Sequence, residues 1–213
     1  MALHHNRVFI VFEGIDGSGK STQIKRLENR LAAMGIFVYN TFEPTRGPIG
    51  ALLRRILSGE TEICPPAVAH LFAADRTEHI VNKEYGIKKK MDEGAVVLCD
   101  RYYFSSFAYH SLKMDMERVI DLNAYNMQLL QPTVNVFIDV DPAVCFKRLE
   151  KCRPQLELFE TETIMKEVRN LYFKAFDRLK TQENVLPVDG NRNEAAVENA
   201  VWNGIQYLFQ KGE

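Results

Sequence analysis

Strand-like and helix-like stretches alternate along this chain, which predicts an α/β fold: a parallel sheet with helices on both faces. Three observations carry that expectation. Residues 8–12 (Val-Phe-Ile-Val-Phe) and 95–99 are unbroken apolar runs of strand length, as strands buried on both faces should be, and 134–138 (Val-Asn-Val-Phe-Ile) reads as another buried strand. Ile24, Leu27, Leu31 and Met34 recur at helical spacing between the first run and Gly35, a natural stop. Between strand and helix, Gly14-Ile15-Asp16-Gly17-Ser18-Gly19-Lys20-Ser21 fits G-x-x-x-x-G-K-[ST], the loop that cradles nucleotide phosphates. The fold class is therefore a P-loop NTPase-type parallel sheet flanked by helices.

The residue types in the loop follow from the chemistry. Glycines let the backbone wrap close to phosphate and turn its N–H groups inward. The helix N-terminus adds partial positive charge. Lys20 is placed to reach the β- and γ-phosphates, and the Ser21 hydroxyl to ligate Mg²⁺.

The elements follow in order. Ile36-Phe37-Val38-Tyr39 reads as a second strand, and Glu43-Pro44-Thr45-Arg46-Gly47-Pro48 as the loop after it. Pro48 suits the first turn of a helix through Leu52, Leu53, Ile56 and Leu57 to Gly59. Pro65-Pro66 opens a longer helix carrying Val68, Leu71, Phe72, Ile80 and Val81, with Lys88-Lys89-Lys90 near its end as a solvated face. The 95–99 strand stops at Asp100-Arg101-Tyr102. Two short helices follow, over 105–110 and 116–128, the second capped by Asp115. After the 134–138 strand, Asp141-Pro142 reads as an N-cap and first helical position. That helix, through Val144 and Leu149, runs into a polar stretch at 151–160. Further elements are a helix over 163–179, a short strand at 185–188, the turn Asp189-Gly190-Asn191, and a last helix carrying Val197, Val201, Ile205 and Leu208.

Bulk properties set outer bounds. At 213 residues, 46% hydrophobic and 26% charged, the chain suits a single soluble domain over 1–213. A net charge of −1 gives no basic footprint for nucleic acid. No apolar stretch reaches the ~18 residues of a membrane helix, and no signal peptide fits before the first strand. Cys64, Cys99, Cys145 and Cys152 show no metal spacing and read as free thiols, so a cytoplasmic setting is expected. His4 and His5 read as part of a plain tail.

In parallel sheets, ligands gather beyond the carboxyl ends of the strands. Chemistry is thus expected at 14–21, 43–46, 100–101, 139–141 and 189–191. Asp100, ending a buried strand, suits Mg²⁺ directly or through water. The N-K-x-D signature of GTPases is missing from the sequence.

Phe12 to Thr22 reads FEGIDGSGKST, residues 71–76 read Leu-Phe-Ala-Ala-Asp-Arg with His79 beyond, and residues 100–109 read Asp-Arg-Tyr-x-x-Ser-x-x-Ala-Tyr. With Glu43-Pro44 and a following Arg54, these blocks resemble the thymidylate (dTMP) kinase family over nearly the whole chain. The resemblance implies ATP-dependent phosphorylation of dTMP to dTDP with Mg²⁺, in a homodimer. Gly14 through Thr22 would bind ATP, helped by Arg148. Glu43, Pro44, Arg54 and Arg101 would hold the monophosphate, since guanidinium groups fit phosphate oxygens. Phe72 would stack on thymine, Arg76 donate to its carbonyl, and Ser105 and Ser106 bond the base edge. Asp16 would hold the 3′-hydroxyl, and Tyr109 lie against the deoxyribose. Asp16, Lys20, Arg101 and Arg153 are then the catalytic set, with Ser21 and Asp100 at the metal. Two departures stand out. The lid's usual Asp-Arg-x-Glu is Glu157-Leu158-Phe159-Glu160, leaving Arg153, then Arg148 and Lys151, to supply its cation. Thr45-Arg46 replaces two glycines, making Arg46 a further phosphate contact. Rival readings are a kinase for another pyrimidine nucleotide or deoxynucleoside, and a nucleotide-binding module without catalysis.

Overall fold

The computed structural model of the chain describes residues 7–152 and 161–210. Five strands, β1 (Phe9–Glu13), β2 (Val38–Phe42), β3 (Val96–Asp100), β4 (Val134–Asp139) and β5 (Val185–Asp189), form one sheet in the order β2-β3-β1-β4-β5. Every pairing is parallel, with Phe12 opposite both Asp100 and Val136. The three inner strands are buried almost throughout, as their apolar runs require. The edge strands β2 and β5 are only partly buried, and Pro187 sits where a missing N–H costs no ladder bond. From β1 the chain winds first toward β2 and β3, then turns back toward β4 and β5. That reversal beside β1 is where α/β sheets open a crevice.

The helices are α1 (Lys20–Ala33), α2 (Pro48–Leu57), α3 (Pro65–Val81), α4 (Ile87–Asp92), α5 (Tyr103–His110), α6 (Met116–Leu129), α7 (Pro142–Cys152), α8 (Glu162–Leu179) and α9 (Glu194–Ile205), the last ending in a 3₁₀ turn, Gln206–Phe209. Caps explain several boundaries. The side chains of Asp115, Thr161 and Asn193 accept from Arg118, Ile164 and Ala196 N–H, and Asp141 accepts from Ala143. Ile24, Leu27 and Leu31 are buried on α1, whereas Met34 lies beyond its end and is exposed.

Among the boundaries that differ from the sequence pattern, α5 begins at Tyr103, not 105, and Leu208 lies in the 3₁₀ turn after α9; two others have a clear cause. The second strand begins at Val38, not Ile36, because Ile36 belongs to the stop of α1. Gly35 takes φ +74°, and the Ile36 N–H bonds back to Leu31 O while its side chain packs in the core. The helix opened by Pro65 does not run on to the lysines. Asn82 leaves helical geometry, and its side chain accepts from Glu84 and Tyr85 N–H. Lys88, Lys89 and Lys90 therefore lie on the separate α4. Arg153, Leu158 and most of the 151–160 lid segment, with His4 and His5, fall outside the described residues.

Candidate active site

Four of the five strands end on a carboxylate: Glu13, Asp100, Asp139 and Asp189. Between β1 and α1 the loop is held tightly. A Cβ on Gly14 would meet Ile138 O at 2.8 Å, and one on Gly17 would meet Cys145 O at 2.8 Å. Both take positive φ, +147° and +76°, so side chains are excluded by conformation as well as by space. Lys20, the first residue of α1, is buried and bonds Gly14 O at 3.1 Å and Ile15 O at 3.2 Å. Burial depresses its ammonium pKa, the Arg101 charge adds to that, and nearby carboxylates oppose. The Ser21 hydroxyl donates to Asp100 Oδ2 at 3.0 Å, while the buried Asp100 Oδ1 has no protein partner. A hydroxyl beside a carboxylate with a spare buried oxygen is a donor set that fits Mg²⁺, which takes few protein oxygens. Among the described residues no three His, Cys, Asp or Glu side chains cluster as a metal cage.

A cleft of about 1040 Å³ opens over this loop, lined by residues 16–22 together with Asp100, Arg101 and Arg148. Gly14 and Ile15 lie beneath it and touch Lys20 through their carbonyls. Arg148 donates to Gly17 O at 3.1 Å. Arg46 also lines the cleft, held over the Phe42 ring at 5.4 Å.

A second cavity of about 180 Å³ adjoins it, lined by Glu43, Pro44, Phe72, Arg76, Ser105, Ser106 and Tyr109, with Asp16 and Arg101 at its mouth. Asp16, Glu43 and Arg101 line both spaces. Arg101 adopts φ +71°, a left-handed conformation costly for a side-chain-bearing residue. From there it meets Asp16 Oδ1 at 2.6 Å, and Tyr109 donates to Asp16 Oδ2 at 2.9 Å. Burial works to raise the Asp16 pKa, but the charges of Arg101 and Lys20 win and hold it at about 2. Arg54 does not line this cavity. It braces the loop beside it, donating to Pro44 O at 3.1 Å and to Thr45 O.

The loop is clamped from the other side by α3. Asp75 accepts from Thr45 N–H at 2.7 Å and Thr45 Oγ1 at 2.6 Å. The buried Arg76 pairs with Glu43 at 2.7 Å and donates to Ser106 Oγ at 3.1 Å and to Asn123. Its Nε–H, both Nη1 hydrogens and one Nη2 hydrogen are thereby engaged, leaving a fifth N–H for a ligand. Helical spacing sorts α5 into two pairs. All four line the smaller cavity: Ser105 and Tyr109 turn toward Arg101, while Ser106 meets Arg76 and the His110 ring lies 5.0 Å from that of Phe72. Burial, then the Arg76 charge, lowers the His110 pKa to about 4, so the ring is neutral near pH 7.

Sequence reasoning assigned no role to His110, Asn123, Asp75 or Glu13. For His110 a signal was present, four residues beyond Ser106 on one helix. Glu13 and Asp75 stand inside the blocks Phe12–Thr22 and 71–76, but their partners come from distant elements, and Asn123 had no signal.

A glycine-rich loop between β1 and α1, an adjoining aromatic-lined cavity and the Arg101–Asp16 pair at their junction define a P-loop nucleotide-binding protein built like a phosphotransferase. The family model for thymidylate kinase matches residues 12–201, and the chain belongs to that family. A thymidylate kinase of Bifidobacterium longum is 36% identical over 159 residues, covering 71% of this chain and 76% of the relative. One from Desulfotalea psychrophila reaches 44% over 117 residues, 54% of this chain and 56% of its own. A relative from Treponema pallidum aligns almost end to end, 35% identical over 204 residues, or 94% and 95%.

Proposed function

We infer that this chain transfers the γ-phosphoryl group of ATP to dTMP, giving dTDP and ADP. The observation that carries this reading is the pair of adjoining spaces that share Asp16, Glu43 and Arg101. One has the phosphate loop for a donor nucleotide. The other has the dimensions and lining for a pyrimidine nucleoside, so the two phosphate chains meet where the cations stand.

Roles follow from position. Backbone N–H groups of 16–22 and Lys20 hold the ATP phosphates, and Arg148 steadies the loop through Gly17. Arg101 bridges to the monophosphate, with Arg54 keeping the Glu43-Pro44 loop in place. Phe72 stacks on thymine, a contact worth about 1–3 kcal/mol. The spare Arg76 N–H donates to the base carbonyl, beside Ser106, and Ser105 acts nearby on Arg101. Asp16 accepts from the 3′-hydroxyl, and Tyr109 packs against the sugar. Phosphoryl transfer is chiefly positioning and neutralisation of charge, which this set supplies. Ser21 and Asp100 are the residues that would hold Mg²⁺, which when bound neutralises and aligns phosphate oxygens. Arg153 is proposed as the lid cation, on sequence position alone.

Residues 1–213 are proposed to form one domain, with 151–160 as its lid. A homodimer is proposed as well, in keeping with large apolar side chains exposed at Val81 and Tyr125 on the packed pair α3 and α6. No helix among the described residues is long and apolar enough to cross a membrane, and a cytoplasmic setting suits the free Cys64, Cys99 and Cys145.

The test is an ADP-release assay over dTMP, dUMP, UMP, CMP and thymidine. Preference for dTMP is expected, and clear preference for another acceptor overturns the reading.

A further inference from the structure

Glu13 is fully buried at the end of β1 and touches neither cavity, yet its carboxylate gathers four donors. Its Oε1 accepts from the backbone N–H groups of Tyr102 at 2.9 Å and Ser105 at 3.2 Å. Its Oε2 accepts from the Ser105 hydroxyl at 2.6 Å and the Tyr172 hydroxyl at 2.9 Å. Those same two hydroxyl oxygens face Arg101, whose Nη1 lies 3.1 Å from Ser105 Oγ and 3.4 Å from Tyr172 Oη. Nothing in the transfer step uses Glu13 directly.

The chemistry of the donors gives this arrangement a direction. A hydroxyl has one hydrogen and two lone pairs, a carboxylate only accepts, and a guanidinium only donates. The two hydroxyl oxygens also lie 2.8 Å apart, so with Glu13 on one side each hydrogen goes to the carboxylate or to the other hydroxyl, and lone pairs are left facing Arg101. Meanwhile Oε1 holds the backbone just after Arg101, the residue kept at φ +71°. Burial raises the Glu13 pKa, while Ser105, the Arg101 charge, Tyr102 N–H and Tyr172 act to keep the carboxylate ionised.

We propose that Glu13 is a positioning residue that orients Arg101 through the hydroxyls of Ser105 and Tyr172. It rests on the reading that Arg101 acts on the phosphoryl groups. An amide in its place breaks the polarity. Glu13→Gln keeps an oxygen for the two backbone N–H groups, so the fold is retained. Its NH₂ then donates to the two hydroxyls; at most one of their hydrogens can stay between them, so at least one is turned toward Arg101, donor against donor.

The experiment is a double-mutant cycle on the full chain, with kcat, KM for ATP and the thermal midpoint measured for each variant. Glu13→Gln is expected to lower kcat about tenfold while KM for ATP changes by less than about twofold. In the Arg101→Ala background the same change should have no further effect on kcat. Tyr172→Phe, which removes one of the two hydroxyls, should give a smaller loss that also vanishes in that background. A general structural role would instead lower the midpoint and add its loss to that of Arg101→Ala. Wild-type kcat in Glu13→Gln, or an additive loss, overturns the proposal while leaving Arg101 in its role. Full activity of Arg101→Ala on its own overturns that role and the proposal together.

Discussion

Lys20 is a buried ammonium whose protein partners are two backbone carbonyls. Such a group does most where charge develops, over the transferring phosphoryl, and little for the resting fold. Lys20→Ala is therefore expected to lower kcat by about 100-fold or more while the thermal midpoint stays close to wild type. Unchanged turnover would remove Lys20 from the catalytic set. Two other residues predict how stability follows pH. His110 sits at about 4, below its ordinary 6.5, because burial and then Arg76 disfavour the charged ring. Between those values the unfolded chain binds the extra proton, so stability rises with pH. The contribution is whole above 6.5 and is lost as pH falls through about 4. Asp16, at about 2 against 3.8, has the same sign in a lower window: its contribution is whole above 3.8 and lost toward 2. Thermal midpoints measured from pH 3 to 7 should fall on acidification. His110→Gln should flatten the slope between 4 and 6.5 and leave the lower part intact. An unaltered upper slope would contradict the burial of a neutral ring.

The Glu43-Pro44-Thr45 loop is shaped by the two helices that hold it. From α3, Asp75 takes Thr45 N–H and hydroxyl, and Arg76 and His79 take Glu43. From α2, Gly50 packs so closely that a Cβ there would stand 1.9 Å from Thr45 O. Gly50→Ala must displace backbone, not a flexible side-chain tip. It is expected to destabilise by about 1–3 kcal/mol in urea unfolding and to raise KM for dTMP more than KM for ATP. Equal effects on the two constants would show that the loop does not serve the smaller cavity. This region also marks how far the sequence could be read. The inner strands were legible because burial on both faces leaves a run of apolar residues with no other reading. The phosphate loop was legible because its spacing is itself the mechanism. The start of β2 was not, since an edge strand is half polar and Ile36 is spent on ending α1. Nor was the break after Val81, which depends on the Asn82 side chain accepting local N–H groups. The long-range contacts of Asp75, Asn123 and Glu13 join residues 30 to 159 positions apart, a distance no local pattern encodes.

At the scale of the whole molecule, the sheet order fixes where the two nucleotides of the proposed reaction would meet. The order β2-β3-β1-β4-β5 sets the phosphate loop of β1 beside the ends of β3 and β2. Asp100-Arg101 from the end of β3 and Glu43 from the end of β2 thereby arrive next to Asp16, which follows β1. The two cavities share Asp16, Glu43 and Arg101, and on the proposed reading they are one site, so a single ligand spanning both should bind as one object. Joining adenosine and thymidine through an oligophosphate turns the second binding event into an intramolecular one, and avoids part of the entropy lost when two ligands bind separately. Such a compound is expected to bind at least about tenfold tighter than either ATP or dTMP by titration calorimetry. It should compete with both substrates in steady-state kinetics, and Arg101→Ala should weaken it more than it weakens either nucleotide alone. Competition against only one substrate would mean that the two spaces are not continuous across Asp16 and Arg101, and head-to-head transfer between them would then have no path.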